Sequence, residues 1–337
     1  MTAWRNRWRP SVVAPANLAL TFETHLETVI RSYRASATIG EMLAYHFGLS
    51  RNGASRRGKR LRPQLLMRIA NAEGAPARAA LDAAVAIEIL HNYSLIHDDI
   101  EDGDRLRHGR QSLWAKYGVP QAINAGDALC ALSYLTLLSE QSDALAPRVA
   151  RLTRVLHVAN LRMCEGQSLD LGFESAGSVS MEAYLTMIDG KTAALFSAAC
   201  EMGARCTECD EDRTRQYSAL GRAFGIAFQV RDDILGTWGD PHLTGKEIGV
   251  DIGRRKWTFP VVWALSEPQS EARDIIARQY SDARSSEQRS VREVVAALER
   301  IGSREAAELR YRTELARAQQ LAEAAGVPAL LEGLLTA

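Results

Sequence analysis

The sequence predicts an all-α fold, and three observations support this class. Apolar residues recur with the period of a helix through most of the chain. No stretch shows the sustained alternation of apolar and polar residues that a half-buried strand has. Proline and glycine lie mainly between the periodic segments, where helices end and turns begin. We therefore expect helices over 80–97, 121–139, 147–171, 181–202, 212–235 and 304–325.

Two segments stand out within this helical pattern. Residues 80–97 are rich in alanine and apolar on nearly every side, which is typical of a helix buried in a large bundle. Residues 241–256 contain three glycines and one proline, so we expect a loop there. No shift in composition marks a domain boundary. We expect an N-terminal tail over 1–19, followed by a single all-α domain over 20–337.

The composition is that of an ordinary globular protein. Of the 337 residues, 46% are hydrophobic and 24% are charged, and 41 basic residues balance 41 acidic ones. A net charge near zero gives no general reason to expect a nucleic acid partner. No apolar run approaches the roughly 18–20 residues that span a bilayer, so we expect no transmembrane segment. The five cysteines are scattered, with Cys206 and Cys209 as a lone CxxC, which favours a reduced, cytoplasmic protein.

Two aspartate-rich stretches, 134 positions apart, are the most informative part of the sequence. Asp98, Asp99 and Asp102 follow one apolar stretch, and Asp232 and Asp233 follow another. Because clustered carboxylates repel one another, they persist together where a cation lies between them. Oxygen ligands of this kind suit Mg²⁺, which keeps several waters and bridges to substrate phosphates. The stretches therefore predict a magnesium–diphosphate site, with a solvated acidic turn as the alternative for the first.

Basic residues accompany both aspartate stretches. Residues 58–63 place three cations within four positions, and further basic side chains follow the first stretch at 105–110. Lys191, Lys246 and Lys256 lie near the second. Since arginine binds phosphate through its planar fork and lysine binds it as a point charge, we infer two anionic groups held close together. His97 is either a metal ligand beside Asp98 or a hydrogen-bonded packing residue.

Seven short motifs in a fixed order give the chain a family resemblance. It resembles the trans-isoprenyl diphosphate synthases, or polyprenyl synthetases, from about residue 20 to the C-terminus, and most closely the geranylgeranyl diphosphate synthases. The motifs are GKRLRP at 58–63, the aspartate-rich motif at 98–102, LRHGR at 106–110, GQSLD at 166–170, GKTA at 190–193, FQVRDD at 228–233 and GK…D…K at 245–256. Seven ordered motifs are far more specific than one aspartate-rich motif alone.

The resemblance implies a fold and a reaction. The family fold is an all-α isoprenoid synthase bundle around a deep central cavity, usually in a homodimer. The family reaction begins when an allylic diphosphate ionises at a magnesium site. The double bond of isopentenyl diphosphate attacks the allylic cation head-to-tail, and proton loss gives a product five carbons longer. The resemblance implies three Mg²⁺ ions in each active site, with isopentenyl and allylic diphosphates as the partners.

The resemblance also implies a role for individual residues of this chain. The metal set is Asp98, Asp99, Asp102, Asp170, Asp232 and Asp233, of which Asp98, Asp102 and Asp232 are the direct ligands. The set that binds the allylic diphosphate is Arg107, Lys191, Lys246 and Lys256. The set that binds isopentenyl diphosphate is Lys59, Arg62, His91 and His108. Thr192 and Gln229 line the reacting centre.

Two positions depart from the family pattern, and one pair bears on product length. His108 stands where the family often has a second arginine, which weakens the case for tight isopentenyl diphosphate binding there. Gly236 stands where many relatives have a third aspartate. Tyr93 and Ser94, one turn below the first motif, resemble enzymes that make the twenty-carbon product. Tyr93 is either the floor of the cavity or simply packed core, so we expect geranylgeranyl diphosphate first and farnesyl diphosphate second.

Two other readings of the sequence compete with a prenyl diphosphate synthase. A class I terpene cyclase also uses an aspartate-rich motif and magnesium, but it does not need the basic set of Lys59, Arg62 and His91. A non-catalytic subunit of a heteromeric synthase is expected to lose metal or phosphate ligands. This chain keeps nearly all of them, so we expect an active trans-prenyltransferase.

Overall fold

In a computed structural model, the chain is described at residues 18–33, 37–49, 58–138, 146–239, 249–280 and 291–335. These residues form helices and one hairpin of two-residue strands, which confirms the all-α class. The predicted tail over 1–19 lies outside the described residues, except that the first helix begins at Leu18. Residues 241–248 of the predicted loop also lie outside them, and the remainder includes a short helix, Val250–Gly253.

In the first half of the chain, the described residues form the hairpin and six helices. In chain order these are α1 Leu18–Ser32, α2 Ala37–His46, α3 Leu61–Ala72, α4 Ala77–Glu101, β1 Leu106–Arg107, β2 Arg110–Gln111, α5 Leu113–Tyr117 and α6 Val119–Leu137. The second half adds α7 Ala146–Phe173, α8 Met181–Ile188, a π-helix Asp189–Ala193, α9 Ala194–Arg205, α10 Glu211–Trp238, α11 Val250–Gly253, α12 Phe259–Ser266, α13 Glu271–Tyr280, α14 Val291–Arg300, α15 Ser303–Ala324 and a 3₁₀-helix Pro328–Leu331.

The six predicted helices are present, and one of them is subdivided. The helix predicted over 181–202 is interrupted by the π-helix Asp189–Ala193 and extends to Arg205. The prediction omitted several shorter helices at both ends of the chain, because their apolar faces are brief and do not stand out by periodicity alone. These are α1, α2, α3, α12, α13 and α14.

The chain divides into two compact units. Unit 1 comprises Met1–His157 and Ala199–Thr214, and unit 2 comprises Val158–Ala198 and Arg215–Ala337. In unit 1, α4 is buried at every position from Ala79 to Leu90, and α3 and α6 pack against it. Among the described helices, α4 alone has the length and composition to cross a membrane, but 78% of its apolar window is buried inside the protein. That burial is the behaviour of a core helix.

Unit 2 has a core of its own, built from α8, α10, α12 and the helices that follow. Tyr184, Ile188, Val230 and Phe259 are buried in it. Beside this core, α7 and the π-helix approach so closely that a Cβ atom at Gly166 would lie 2.1 Å from the backbone nitrogen of Lys191. Only glycine fits at such a backbone contact. The close approach fixes the π-helix, which contains two of the predicted site residues.

Candidate active site

The first aspartate stretch lies at the C-terminal end of α4. Asp98 and Asp99 are in its last turn, and the backbone N–H of Asp102 donates to the carbonyl of Asp98 at 2.8 Å. Asp98 and Asp102 are both partly exposed. Their carboxylates lie on one side of a helix end whose dipole disfavours negative charge, so a nearby cation stabilises them.

Asp99 has a different environment from its neighbours. It is only 1% exposed and accepts two hydrogen bonds from Nε of Arg107, at 2.9 and 2.8 Å, and one from Nη2 at 2.7 Å. Burial raises the pKa of Asp99, and the bonds to Arg107 oppose that rise. Since both carboxylate oxygens already bind the guanidinium, Asp99 orients Arg107 in this structure.

The β1–β2 hairpin presents Arg107 and its neighbours. His108 and Gly109 form the turn with φ values of 52° and 78°, the left-handed pair that a two-residue hairpin favours. Histidine is among the few residues with a side chain that adopt this conformation with some frequency. His108 is exposed at the turn, whereas Arg107 and Arg110 face each other across the strands and are half-buried.

Arg62, His91 and Arg107 lie near one another in unit 1, and we call this group the cationic cluster because its two arginines are charged. Burial lowers the pKa of His91 well below its ordinary value, and the charges of Arg62 and Arg107 lower it further. Burial lowers the pKa of Arg62 to about 10, although the carboxylate of Glu88 opposes this. Arg62 and Arg107 therefore lie close to a neutral His91, and a bound anion would offset the charges of the two guanidinium groups. Lys59 is exposed just before α3.

The third cation of the motif at 58–63, Arg60, has a structural role. Its φ of 52° turns the side chain inward, where it donates to Glu88 at 2.5 Å and to Glu23 at 3.1 Å. Glu88 also accepts a hydrogen bond from Asn92 at 3.0 Å, and the amide oxygen of Asn92 bonds to His46 at 3.1 Å. This network anchors the start of α3, and its residues have no distinguishing pattern in the sequence.

The two predicted chain-length residues lie on α4, one turn before Asp98. Tyr93 is half-buried, and its ring packs edge-on against the ring of His97 with centroids 5.0 Å apart. The hydroxyl of Ser94 donates to the carbonyl of His91 at 2.8 Å. His97 lies 3.4 Å from the carbonyl oxygen of Ile123 and 3.7 Å from the carboxylate of Asp127, which favours the packing role for this histidine.

In unit 2, the π-helix Asp189–Ala193 places Lys191 and Thr192 on adjacent positions. The ammonium of Lys191 donates to Asp170 on α7, and the hydroxyl of Thr192 donates to the amide oxygen of Gln229 at 2.7 Å. Asp189 anchors the first turn of the π-helix, because Arg162 and Arg222 each donate to it at 2.5 Å. π-Helical turns are frequent at functional sites. Asp189 carried no signal in the sequence.

Asp233 is buried and fully engaged by protein donors. It accepts hydrogen bonds from the hydroxyl of Tyr184 at 2.5 Å, the backbone N–H of Phe259 at 2.7 Å and the amide of Gln229 at 2.9 Å. Burial raises the pKa of Asp233 to about 7, while the three donors favour its ionised form. Asp233 therefore orients Gln229, which in turn accepts from Thr192. Tyr184 is a contributor that the sequence analysis missed.

Asp232 is exposed, in contrast with Asp233. One turn further along α10, a Cβ atom at Gly236 would lie 1.9 Å from a carboxylate oxygen of Asp251. Position 236 therefore has no room for a third aspartate while Asp251 is placed as it is. Lys256 is half-buried, and its carbonyl accepts from the hydroxyl of Tyr280 at 3.1 Å. Lys246 lies outside the described residues.

The predicted site residues thus form two sets. Unit 1 contains the set around the end of α4, and unit 2 contains the set around the π-helix and α10. Within the described ranges, no group of three His, Cys, Asp or Glu side chains is arranged to hold a metal ion by itself. Mg²⁺ needs only one or two carboxylates when phosphate oxygens complete its shell. The partly exposed pair Asp98 and Asp102, and the exposed Asp232, fit that requirement.

The chain is similar to known proteins over most of its length. The sequence profile of the family described as Polyprenyl synthetase matches residues 48–298. The chain is 38% identical over 240 residues to a (2E,6E)-farnesyl diphosphate synthase of Mycobacterium tuberculosis, covering 70% of this chain and 66% of that protein. It is 37% identical over 243 residues to a geranylgeranyl diphosphate synthase of the same organism, covering 71% and 69%.

A solved structure extends the likeness to nearly the whole chain. A polyprenyl synthetase from Streptomyces coelicolor A3(2) superposes with a TM-score of 0.84 at 32% identity, covering 94% of this chain and 96% of that one. The predicted isoprenoid synthase fold is confirmed by this superposition. The chain therefore belongs to the polyprenyl synthetase family of trans-prenyltransferases.

Proposed function

We propose that this protein condenses isopentenyl diphosphate with an allylic diphosphate, head-to-tail, to give a short all-trans prenyl diphosphate. The observation that carries the proposal is the cationic cluster, in which the guanidinium groups of Arg62 and Arg107 lie beside a neutral His91, in the same unit as Asp98 and Asp102. Fixed cations of this kind bind diphosphate, and the carboxylates complement a divalent metal bound to a second diphosphate. The membership of the family supports the same reaction.

Different side chains would hold the metal ions and bind the allylic diphosphate. Asp98, Asp102 and Asp232 would hold magnesium, with Asp170 in support, and bound magnesium supplies Lewis-acid stabilisation of the leaving diphosphate. Arg107 and Lys191 would bind the allylic diphosphate. Both are already oriented by carboxylates, so little side-chain entropy remains to be lost on binding.

The polar chain in unit 2 would act at the reacting centre. The carboxylate of Asp233 orients the Gln229 amide, and the hydroxyl of Thr192 donates to its oxygen. Fixed dipoles of this type stabilise developing charge without reorganising during the reaction. An apolar helical surrounding would exclude the water that otherwise captures an allylic cation.

We propose geranylgeranyl diphosphate as the main product and farnesyl diphosphate as the alternative. The half-buried ring of Tyr93, one turn below the first aspartate motif, would limit the growing chain. The relatives do not decide between the two products, since they include synthases of both kinds. The twenty-carbon product stays a prediction from the pairing of Tyr93 with Ser94.

A direct elongation assay tests the reaction. Purified protein is incubated with isopentenyl diphosphate, Mg²⁺ and each of the three short allylic diphosphates, and product lengths are read by mass spectrometry. We expect elongation, ending mainly at twenty carbons. Release of a cyclic hydrocarbon from an allylic diphosphate alone would favour a class I terpene cyclase. Failure to elongate any primer would favour a non-catalytic subunit and refute the proposal.

We further propose that the protein is a homodimer. Large apolar side chains are exposed on α6 and on α7, among them Leu135 at 42%, Val158 at 52% and Leu161 at 63%. Exposed apolar side chains along neighbouring turns of a helix mark an interaction surface. Size-exclusion chromatography with light scattering should give the mass of a dimer, and Leu161→Glu should shift it to a monomer. A monomeric wild-type protein would refute this.

The single domain over 20–337 and the cytoplasmic location stay predictions.

A further inference from the structure

We propose that Arg110, and not His108, supplies the second guanidinium of the isopentenyl diphosphate site. This inference rests on the proposed function, and it concerns the hairpin position at which the chain departs from the family pattern. At that position His108 stands where the family often has an arginine, so the set expected to bind isopentenyl diphosphate has one permanently charged side chain fewer. An imidazole is mostly neutral near pH 7, whereas a guanidinium stays charged.

The hairpin geometry puts Arg110 on the side of Arg107. The two residues are directly opposite in the β1–β2 register, and directly opposite residues of an antiparallel pair project from the same face. His108 is at the turn itself, with a φ of 52° and an exposed side chain. The hairpin therefore presents two arginines side by side, with the histidine at its tip.

Arg110 is held in place without being neutralised. Its Nη2 donates to the carbonyl of His46 at 3.4 Å, and its guanidinium carbon lies 5.0 Å from the centroid of the Tyr45 ring. Its Nε is buried and has no hydrogen-bond partner among the residues that the structure describes. No carboxylate in those ranges pairs with Arg110, whereas Arg107 has Asp99. A half-buried and oriented guanidinium that no carboxylate neutralises is a ready site for an anion.

The surroundings of Arg110 connect it to the residues already expected to bind isopentenyl diphosphate. Burial, together with the charges of Arg107, Arg110 and His108, lowers the pKa of His46 to about 3, so this histidine is neutral. Arg107, which contributes to that shift, also lowers the pKa of His91. Like charges directly opposite on a hairpin are destabilising. A diphosphate bound between Arg110 and the cationic cluster would remove that repulsion.

The test compares Arg110→Gln with a matched control, Lys116→Gln. The ammonium of Lys116 lies 3.7 Å from the centroid of the same Tyr45 ring, but its side chain is exposed. Two quantities are measured: the KM for each substrate in the elongation assay, and the Kd of isopentenyl diphosphate alone by calorimetry. Circular dichroism melting checks that each variant folds.

We expect Arg110→Gln to raise the KM and Kd for isopentenyl diphosphate by about 10- to 100-fold, the effect of losing hydrogen bonds from a charged donor. The KM for the allylic diphosphate should change much less, Arg110→Lys should recover part of the loss, and Lys116→Gln should match the wild type. His108→Ala should cost less than Arg110→Gln.

An elongating Arg110→Gln variant with wild-type KM and Kd for isopentenyl diphosphate would overturn this inference and leave the proposed function standing. The same holds if His108→Ala shows the larger loss. A folded wild-type protein that neither elongates nor binds isopentenyl diphosphate would refute the proposed function as well. Tight isopentenyl diphosphate binding without elongation, lost only in Arg110→Gln, would support the site and refute the reaction.

Discussion

Replacing Gly166 with alanine should damage the site in unit 2 more than any comparable change on the surface of α7. The added Cβ would lie 2.1 Å from the backbone nitrogen of Lys191 and 2.7 Å from both the Lys191 Cα and the Gly190 carbonyl carbon. Ordinary contacts begin near 3.4 Å, so the π-helix and α7 must separate by about 1.3 Å (3.4 minus 2.1). Backbone atoms cannot rotate away as a side-chain tip does.

Two costs follow from this displacement. Overpacking of a close contact destabilises a protein by about 1–3 kcal/mol. A shift of about 1 Å in groups that position a substrate lowers turnover by about 100-fold. The first cost follows from the contact itself, and the second follows if Lys191 and Thr192, which lie in the π-helix, have the roles proposed above. The assay pairs urea unfolding with steady-state elongation of isopentenyl diphosphate.

Gly172→Ala is the matched control for this experiment. Gly172 lies on the same helix, is exposed, and a Cβ there would meet no atom within 4 Å. Alanine is a better helix former than glycine by up to about 1 kcal/mol, so Gly172→Ala should be neutral or stabilising with full activity. If Gly166→Ala unfolds at the same urea concentration as this control and retains wild-type kcat, the argument for a backbone contact is wrong.

Three further substitutions test other contacts of the site. Tyr184→Phe removes one hydrogen-bond donor to Asp233, so it should lower the free energy of unfolding by about 1–3 kcal/mol and lower kcat. An unchanged urea midpoint would show that this hydrogen bond does not stabilise the fold. Asp99→Asn leaves Arg107 without its bidentate partner and should lower the free energy of unfolding by about 1–3 kcal/mol. It should also raise the KM for the allylic diphosphate. A rise confined to the KM for isopentenyl diphosphate would contradict the role proposed for Arg107. Tyr93→Ala should lengthen the product by one or more five-carbon units in mass spectrometry, and an unchanged product distribution would refute its role as the floor of the cavity.

Much of the fold was predictable because the long helices have strong periodic patterns. The helix that contains Asp98 and Asp99 was expected over 80–97 and is observed at Ala77–Glu101. The interruption at Asp189–Ala193 was not predictable, since its stabilisation comes from backbone proximity to Gly166 and from two arginines distant in sequence. Helical periodicity reports on one face of one segment, and it contains no information about such tertiary contacts.

The candidate site was predictable in composition but not in the role of each group. Asp232 and Asp233 are adjacent and chemically identical, yet one is exposed and the other is buried under three donors. Which of two neighbouring carboxylates turns inward depends on the positions of Tyr184 and the backbone of Phe259. In the same way, Arg60 cannot be distinguished from its basic neighbours in the sequence, but in the structure it donates to the buried Glu88 and to the half-buried Glu23.

The π-helix has a consequence for how this chain tolerates insertions and deletions. A π-turn holds about one residue more than an α-turn, so it is equivalent to a single inserted residue within an α-helix. Deleting one residue between Asp189 and Ala193 would close the π-turn to an α-turn, and the helix that follows would keep nearly the same rotation about its axis. Leu195 and Phe196, both fully buried, would therefore stay in the core. A one-residue deletion at this turn should keep the fold but change which side chains the turn presents, whereas a deletion in a regular α-helical part would rotate everything after it by about 100°.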